Sequence, residues 1–160
     1  MGYLTILIES IYYAVPVFVA NMAPVIFQFI PFLNQPIDAG RSYKGARVLG
    51  KGKTWRGLIL GTLSAIAIVY IQRALFSYDL FHQISLVDYS SVNWVLLGFL
   101  LGFGALLGDI VKSFFKRRLK VKSGQPWVPF DQIDFIIGAG LFCSFVYFSF
   151  SHYSYASLFY

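Results

Sequence analysis

The sequence has few charged residues, since only 12% of its 160 residues are Asp, Glu, Lys or Arg and 58% are hydrophobic. Soluble domains average about 25% charged residues, so this composition argues against a soluble globular protein. The single cysteine, Cys143, excludes an intrachain disulfide framework. The first residues lack the basic group that begins a cleavable signal peptide, so none is expected. We predict an all-α polytopic membrane protein, with residues 1–160 forming one domain.

Long apolar runs predict four transmembrane helices and leave a fifth open. The first run, Tyr3 to Leu33, contains no Lys or Arg, and its prolines are expected to kink or break it. Its one charge, Glu9, is either a functional intramembrane carboxylate or, as we favour, a group near water. The next runs are Leu58 to Phe76 and Val92 to Leu107, and the last begins at Phe135. Close helix packing is expected where the third run carries Gly98, Gly102 and Gly104.

Basic residues are almost confined to two segments, because twelve of the thirteen Lys and Arg residues lie within 41–56 and 112–122. Two apolar runs separate these segments, which places both on the same side of the membrane. The positive-inside rule makes that side cytoplasmic and puts the N-terminus outside. We therefore predict a cell-membrane protein whose site forms on the cytoplasmic face from segments of about 34–56 and 109–131. A net charge of +6 is explained by topology and a phosphate-bearing substrate, so no nucleic-acid partner is expected.

The second basic segment places acidic and basic residues on one helical face. The spacing i, i+3, i+4, i+7 relates Asp109, Lys112, Ser113 and Lys116, with Arg117 at the edge. A turn at Gly124, Pro126 and Pro129 then precedes Asp131 and Asp134. Two carboxylate clusters that bracket a basic helix are typical of a site for Mg²⁺ and a nucleotide.

Two simpler interpretations of this segment remain open. The basic residues between Lys112 and Lys122 can serve only to contact anionic lipid headgroups and fix the topology. Asp131 can serve only as the N-cap of a helix. The acidic residues interleaved with the basic ones favour a site, since a plain polybasic segment does not place acids on its own helical face.

The first basic segment, residues 34–56, combines Asp38 and six basic residues with four glycines, which allow the backbone to approach a ligand closely. A P-loop is rejected, because Gly52 stands where GxxxxGK[ST] requires Ser or Thr in one alignment, and Arg47 replaces the first glycine in the other. Glycine amides and lysines here can still cradle phosphate. The alternative is an ordinary basic cytoplasmic loop.

The second segment resembles the signature of the integral-membrane CTP:phosphatidate cytidylyltransferases. The matching residues are Gly108, Asp109, Ser113, Lys116, Arg117, Lys120, Pro126, Asp131 and Asp134. The sequence departs from the bacterial and eukaryotic form, with Val121-Lys122 in place of Lys-Asp and Gln125 to Pro129 in place of Pro-Gly-His-Gly-Gly. Together with Pro36-Ile37-Asp38-x-Gly40 and Gly52 to Gly57, this variant is similar to the CDP-archaeol synthase branch.

The resemblance implies transfer of CMP from CTP to an isoprenoid ether-lipid phosphate (unsaturated archaetidic acid), giving CDP-archaeol and pyrophosphate in phospholipid biosynthesis. Expected partners are CTP, the isoprenoid glycerol-phosphate lipid and the bilayer, and homo-oligomerisation is left open. A CTP-dependent polyprenol or lipid kinase, and a non-enzymatic anionic-lipid-binding or transport protein, are the alternatives.

The expected site residues fall into three groups. Mg²⁺ is assigned to Asp109 and Asp131, with Asp134 as a further ligand or a support. The catalytic set is Asp109, Lys116, Arg117 and Asp131. The substrate-binding set is Asp38, Lys44, Lys53, Thr54, Arg56, Lys112, Ser113 and Lys120.

Overall fold

A computed structural model describes residues 2–43, 45–50, 52–121, 125, 127–128, 131 and 133–144. Its elements are α1 Tyr3–Ile26, β1 Ser42–Tyr43, β2 Ala46–Arg47, α2 Trp55–Leu75, α3 Asp79–Gln83, α4 Trp94–Arg118 and α5 Ile133–Ser144. Helices α1, α2 and α4 are long and apolar enough to cross a membrane, and α5 is a shorter apolar helix. The predicted helical membrane architecture is confirmed. Residues 145–160 lie outside the described residues, so the number of spans, four or five, stays a prediction.

The helices begin and end where their capping residues allow. Helix α1 ends at Ile26, ahead of Pro31, and contains Pro16 and Pro24. Helix α2 begins at Trp55, three residues before the predicted apolar run, because the Thr54 hydroxyl caps it by accepting a hydrogen bond from the Gly57 amide at 3.2 Å. Helix α4 continues past the apolar run to Arg118, as predicted, so its last turn carries Lys and Arg where the helix dipole favours cations.

Glycines bring α4 close to both α2 and α5. A methyl group added at Gly102 would lie 2.6 Å from the Cβ of Ala65 on α2. One added at Gly104 would lie 2.9 Å from the carbonyl oxygen of Gly138 on α5. The prediction that this glycine series allows close packing is therefore confirmed, and α4 lies between its two neighbours with backbones in near contact.

A buried polar network fixes the end of the bundle at which α2 ends. The Gln72 side chain, 2% exposed, donates a hydrogen bond to the carbonyl oxygen of Tyr12 at 2.6 Å. The Tyr89 hydroxyl donates to the Gln72 side-chain oxygen at 3.1 Å. Since a buried amide is costly when unpaired, these bonds hold α1, α2 and the 77–93 loop in one arrangement.

The 34–54 loop contains a hairpin that the sequence patterns did not predict. Strands β1 and β2 pair antiparallel, with Ser42 opposite Arg47, and Gly45 turns between them at φ 77°. The base of the loop is closed by the Ile37 amide, which donates to the Lys53 carbonyl oxygen at 2.9 Å. The hairpin was missed because two-residue strands carry no measurable alternation of polar and apolar residues.

Candidate active site

A cluster of alternating charges lies where the end of α4 meets α5 and the 34–54 loop. At its centre, the Lys112 Nζ lies 3.1 Å from Asp109 Oδ1, 3.2 Å from Asp131 Oδ1 and 3.1 Å from Asp134 Oδ2. Helix α4 supplies the first pair at i, i+3, as the spacing predicted, and the chain then returns to bring the other two aspartates to the same ammonium. The predicted convergence of Asp109 with Asp131 and Asp134 is thus seen in the structure.

Asp131 is the most heavily paired of these carboxylates. Besides Lys112, it contacts the Lys116 Nζ at 2.9 and 3.2 Å, and it accepts a hydrogen bond from the Trp127 amide at 2.6 Å. Burial alone would raise the pKa of Asp131, but the bonds from Lys116 and Trp127 outweigh it and hold the pKa at about 2. Asp131 is therefore ionised at neutral pH.

Asp109 joins α4 to the first basic segment. Its second carboxylate oxygen accepts an ion-paired hydrogen bond from Lys53, a residue 56 positions earlier in the chain. The two basic segments therefore meet at Asp109, as the argument from charge predicted. Within the described residues, three lysines and three aspartates, Lys53, Lys112, Lys116, Asp109, Asp131 and Asp134, form a cluster with no formal net charge.

The carboxylates have the chemistry of a Mg²⁺ site, although an ammonium occupies their centre. Three carboxylates that face one cation are hard oxygen donors, and Asp134 Oδ1 is buried with no hydrogen-bond partner in the described part of the chain. In that same part, no three His, Cys, Asp or Glu side chains form a group arranged to hold a metal directly. The donor set fits a divalent cation once Lys112 moves from the centre.

Two cavities reach the cluster from different directions. The first, of about 450 Å³, lies among α1, the 34–54 loop, α2 and α4, and its polar lining includes Asn21, Gln28, Lys53, Thr54, Arg56 and Asp109. The second, of about 410 Å³, is an apolar groove between α4 and α5. Its walls include Leu107, Val111, Phe115, Ile137 and Leu141, and Lys112 and Asp134 line it as well. The first cavity reaches Lys53 and Asp109 and the second reaches Lys112 and Asp134, so two ligands can meet at different members of one charged cluster.

Asp38 organises the 34–54 loop. Its side chain is 1% exposed and accepts hydrogen bonds from the Gly40 amide at 3.0 Å, the Leu49 amide at 3.0 Å and the Arg47 guanidinium at 2.8 Å. Burial opposes ionisation of Asp38, but the bonds from Leu49, Arg47 and Gly40 prevail and lower its pKa. These contacts make Asp38 a support for the Arg47 side chain and the loop backbone, while its place among the substrate-binding residues stays a prediction.

Several other predicted site residues make structural contacts. Arg56 is 7% exposed and donates to the carbonyl oxygen of Ile30, and Arg117 donates to that of Val121 at 2.9 Å. Ser113 is buried, whereas Lys120 is exposed with a left-handed backbone at φ 58°. Lys44 lies outside the described residues. In the described part of the chain, no side-chain ion pair or hydrogen bond joins Arg56, Ser113, Arg117 or Lys120 to the charged cluster. The roles predicted for these residues and for Lys44 in substrate binding or catalysis remain predictions.

Arg118 is a structural residue that the sequence patterns missed. It donates to the Tyr43 carbonyl oxygen at 2.8 Å and to the Arg47 carbonyl oxygen at 2.9 Å, while its guanidinium lies 5.2 Å from the Tyr43 ring centre. Arg118 thereby ties the hairpin to the end of α4. The only signal in the sequence was its position in a Lys-Arg-Arg run, which equally describes a solvated helix end.

Comparisons with known proteins identify relatives over most of the chain. The CarS-like family, described as CDP-archaeol synthase, matches residues 3–157. The CDP-archaeol synthase of Thermococcus gammatolerans is 40% identical over 144 residues, which cover 87% of this chain and 75% of that protein. That of Methanocaldococcus jannaschii is 40% identical over 136 residues, covering 84% of this chain and 73% of that protein.

A solved structure is similar in fold as well as in sequence. It is described as an intramembrane enzyme for archaeal membrane lipids biosynthesis, and it matches with a TM-score of 0.65 and 31% identity. The match covers 83% of this chain and 74% of that one. The chain therefore belongs to the CDP-archaeol synthase family.

Proposed function

We propose that this membrane enzyme transfers CMP from CTP to an isoprenoid ether-lipid phosphate, releasing pyrophosphate and forming CDP-archaeol for phospholipid biosynthesis. Membership of the CDP-archaeol synthase family supports the reaction class. The observation that carries the proposal to this site is that one charged cluster is reached both by a cavity of mixed polar and apolar lining and by an apolar groove. A nucleotide and a lipid phosphate require this combination of surroundings.

The cavity of mixed lining suits the nucleotide. Lys53, Thr54 and Arg56 line it beside Asp109, so ammonium, hydroxyl and guanidinium groups are available to a triphosphate and its nucleoside. Lys44 belongs to the proposed nucleotide-binding set by its position in the sequence, and Asp38 supports the set by holding the loop. The apolar groove suits the isoprenoid tail, since its walls are nearly all hydrocarbon and its charged members lie where a phosphate headgroup would be.

The reaction needs alignment and charge neutralisation more than covalent chemistry. An oxygen of the lipid phosphate attacks the α-phosphorus of CTP, forming a new phosphorus–oxygen bond. The bond from the α-phosphorus to the oxygen that bridges to the β-phosphorus breaks, and that oxygen leaves with pyrophosphate. The lipid phosphate is already an anionic nucleophile, so no covalent enzyme intermediate is required.

The basic residues of α4 neutralise the reacting phosphates in this mechanism. Lys116 and Arg117 act on the pyrophosphate or the lipid phosphate, with Lys112, Ser113 and Lys120 as further phosphate-binding groups. Asp109 and Asp131, with Asp134 as a further ligand or support, would hold a Mg²⁺ ion that offsets the charge of the triphosphate. The fit of the three carboxylates around one cation supports this assignment.

The site is proposed to face the cytoplasm, where CTP is available. Both basic segments lie at the same end of the bundle, as the Lys53–Asp109 ion pair requires. The positive-inside rule assigns that end to the cytoplasm and the N-terminus of α1 to the outside.

The test is a transfer assay with the purified protein in detergent, Mg²⁺, labelled CTP and an isoprenoid ether-lipid phosphate. Label from the α-phosphate should enter the organic phase with release of pyrophosphate, and EDTA should abolish both. A diacyl phosphatidate tested in parallel measures selectivity for the ether-linked isoprenoid tail.

Other outcomes would contradict the proposal. Label from the γ-phosphate in the lipid would identify a kinase, because CDP and not pyrophosphate would be the second product. Absence of transfer to any lipid phosphate, together with absence of CTP binding, would favour a lipid-binding or transport protein.

A further inference from the structure

The Lys112 ammonium occupies the position in the cluster where a metal ion would compete with it. Three carboxylate oxygens surround it as ion-pair partners at 3.1, 3.2 and 3.1 Å, and its side chain is only 13% exposed. By contrast, Lys53 contacts only Asp109 and Lys116 contacts only Asp131 among the aspartates of the described chain. Lys112 is therefore the lysine that holds all three carboxylates together.

A divalent ion and this ammonium cannot share the same three carboxylates. Mg²⁺ binds oxygen at about 2.0–2.1 Å, which draws the oxygens to a point that Lys112 now occupies. A second cation within a few ångströms would also repel it strongly in a half-buried site. Lys53 and Lys116 are each paired to one aspartate at the edge, so they do not occupy that point and the repulsion on them is weaker.

We propose that Lys112 is an exchangeable internal cation, which holds the three carboxylates together without a metal and leaves them when a metal–nucleotide complex binds. The proposal deepens the proposed function and rests on it. Because Lys112 also lines the apolar groove, the displaced ammonium remains beside the position of the lipid phosphate. Metal binding on its own displaces a favourable ion-pair network, so the ion enters only together with the nucleotide that gives Lys112 a new anionic partner.

The test measures Mn²⁺ binding to the purified protein in detergent, by electron paramagnetic resonance, first without nucleotide. Wild type should bind Mn²⁺ weakly alone and much more tightly with a non-hydrolysable CTP analogue. Lys112→Met removes the competing charge while keeping side-chain length, so it should tighten Mn²⁺ binding without nucleotide about tenfold or more. Lys112→Met should also reduce the increase in Mn²⁺ affinity that the CTP analogue produces.

Two control variants test whether Lys112 itself competes with Mn²⁺, or whether the loss of any positive charge tightens Mn²⁺ binding. Lys116→Met removes a charge that contacts only one aspartate, so it should tighten Mn²⁺ binding clearly less than Lys112→Met. Arg73→Met removes a basic residue near Trp94, at the other end of the bundle, and should leave Mn²⁺ binding unchanged. If Lys112→Met does not fold, as judged by thermal unfolding in detergent, Lys112→Gln carries the same expectation.

Unchanged or weaker Mn²⁺ binding in the Lys112 variant would overturn the proposal, as would a gain equal to that of Lys116→Met. This readout needs no turnover, so it is independent of the transfer assay. If the wild type transfers CMP but Lys112→Met does not tighten Mn²⁺ binding, only the proposed role of Lys112 is refuted and the proposed reaction stands. Exchange without CMP transfer would support Lys112 and refute the proposed reaction.

Discussion

The 34–54 loop and the charged segment at 109–134 lie at the same end of the bundle but use their charged side chains differently. In and beside the loop, charged groups bond mainly to backbone: Asp38 accepts from two amides, and Arg56, in the first turn of α2, donates to the Ile30 carbonyl oxygen. At the centre of the second segment the charged side chains pair with one another, since Lys112 contacts three aspartates and Lys116 contacts Asp131.

This difference assigns the two regions different roles. We call the 34–54 loop the frame, because its charged groups hold its own backbone, and the 109–134 segment the reactive site, because its charged groups can exchange partners with a ligand. A backbone partner is fixed by the fold, so a ligand cannot replace it without unfolding the loop. A side-chain partner can rotate away, and a phosphate or metal ion can take its place at small net cost because the new pair replaces the old one. The comparison therefore predicts that changes in the second segment abolish chemistry, while changes in the loop weaken substrate binding.

The largest effect is expected from Asp109→Asn, which keeps size and removes one charge from the cluster. Lys53 and Lys112 both lose an ionic partner, and the proposed metal loses a ligand. We expect turnover to fall about a thousandfold or more, corresponding to several kcal/mol of lost transition-state stabilisation. Steady-state transfer of labelled CMP measures it.

Asp88→Asn is the matched control. Asp88 lies in the 77–93 loop at the other end of the bundle and accepts a hydrogen bond from the Ser90 amide at 2.9 Å. It should retain wild-type turnover. Activity of Asp109→Asn close to that of this control would refute the assignment of Asp109 to the chemistry.

Much of this arrangement was predictable from simple physical patterns. Apolar runs long enough to span a bilayer located α1, α2 and α4, because apolar length is a strong signal for a membrane helix. The asymmetric distribution of Lys and Arg predicted that the two basic segments meet. Helical spacing placed Asp109 and Lys112 on one face, where they now form an ion pair.

The remaining features depend on contacts between distant parts of the chain. Spacing could not show that Lys112 would be surrounded by Asp131 and Asp134 as well as Asp109, because a turn of unknown path separates them. Nor could composition show that Asp38 would bond to the Leu49 amide, since a buried carboxylate and an exposed one look alike in a sequence. Both are tertiary contacts that local periodicity does not record.

A smaller effect is expected from Gly108→Ala, which tests how closely the charged segment must pack. A methyl group there would overlap the Asp134 carbonyl oxygen, so α5 must shift away from α4 and carry Asp134 from the cluster. Overpacking of this kind costs about 1–3 kcal/mol of stability, and we expect turnover to fall about tenfold to a hundredfold. Thermal unfolding in detergent and CMP transfer measure the two effects.

Gly140→Ala on α5 is the control for that substitution, since an added methyl group there meets nothing within 4 Å. Its unfolding temperature and turnover should match wild type. If Gly108→Ala behaves like Gly140→Ala, then close approach of α4 and α5 is not required for activity.

The smallest effect is expected from Asp38→Asn, which weakens the frame and leaves the cluster intact. The substitution removes the ionic bond between residue 38 and Arg47, which helps to hold the hairpin. Because only one charged hydrogen bond is weakened, the KM for CTP should rise about two- to fivefold. The kcat should change little. A loss confined to kcat would contradict the distinction between frame and site.

The pH dependence of the same variant gives an independent check with a definite sign. Because the pKa of Asp38 is lowered in the folded protein, its contribution to stability is present above the ordinary carboxyl pKa of about 3.9 and is lost as pH falls through the folded value. The difference in unfolding temperature between wild type and Asp38→Asn should therefore stay constant near neutral pH and shrink below about pH 4. Other carboxylates titrate in both proteins and cancel in the difference, so a gap that widens on acidification would show that Asp38 does not stabilise the loop as a carboxylate.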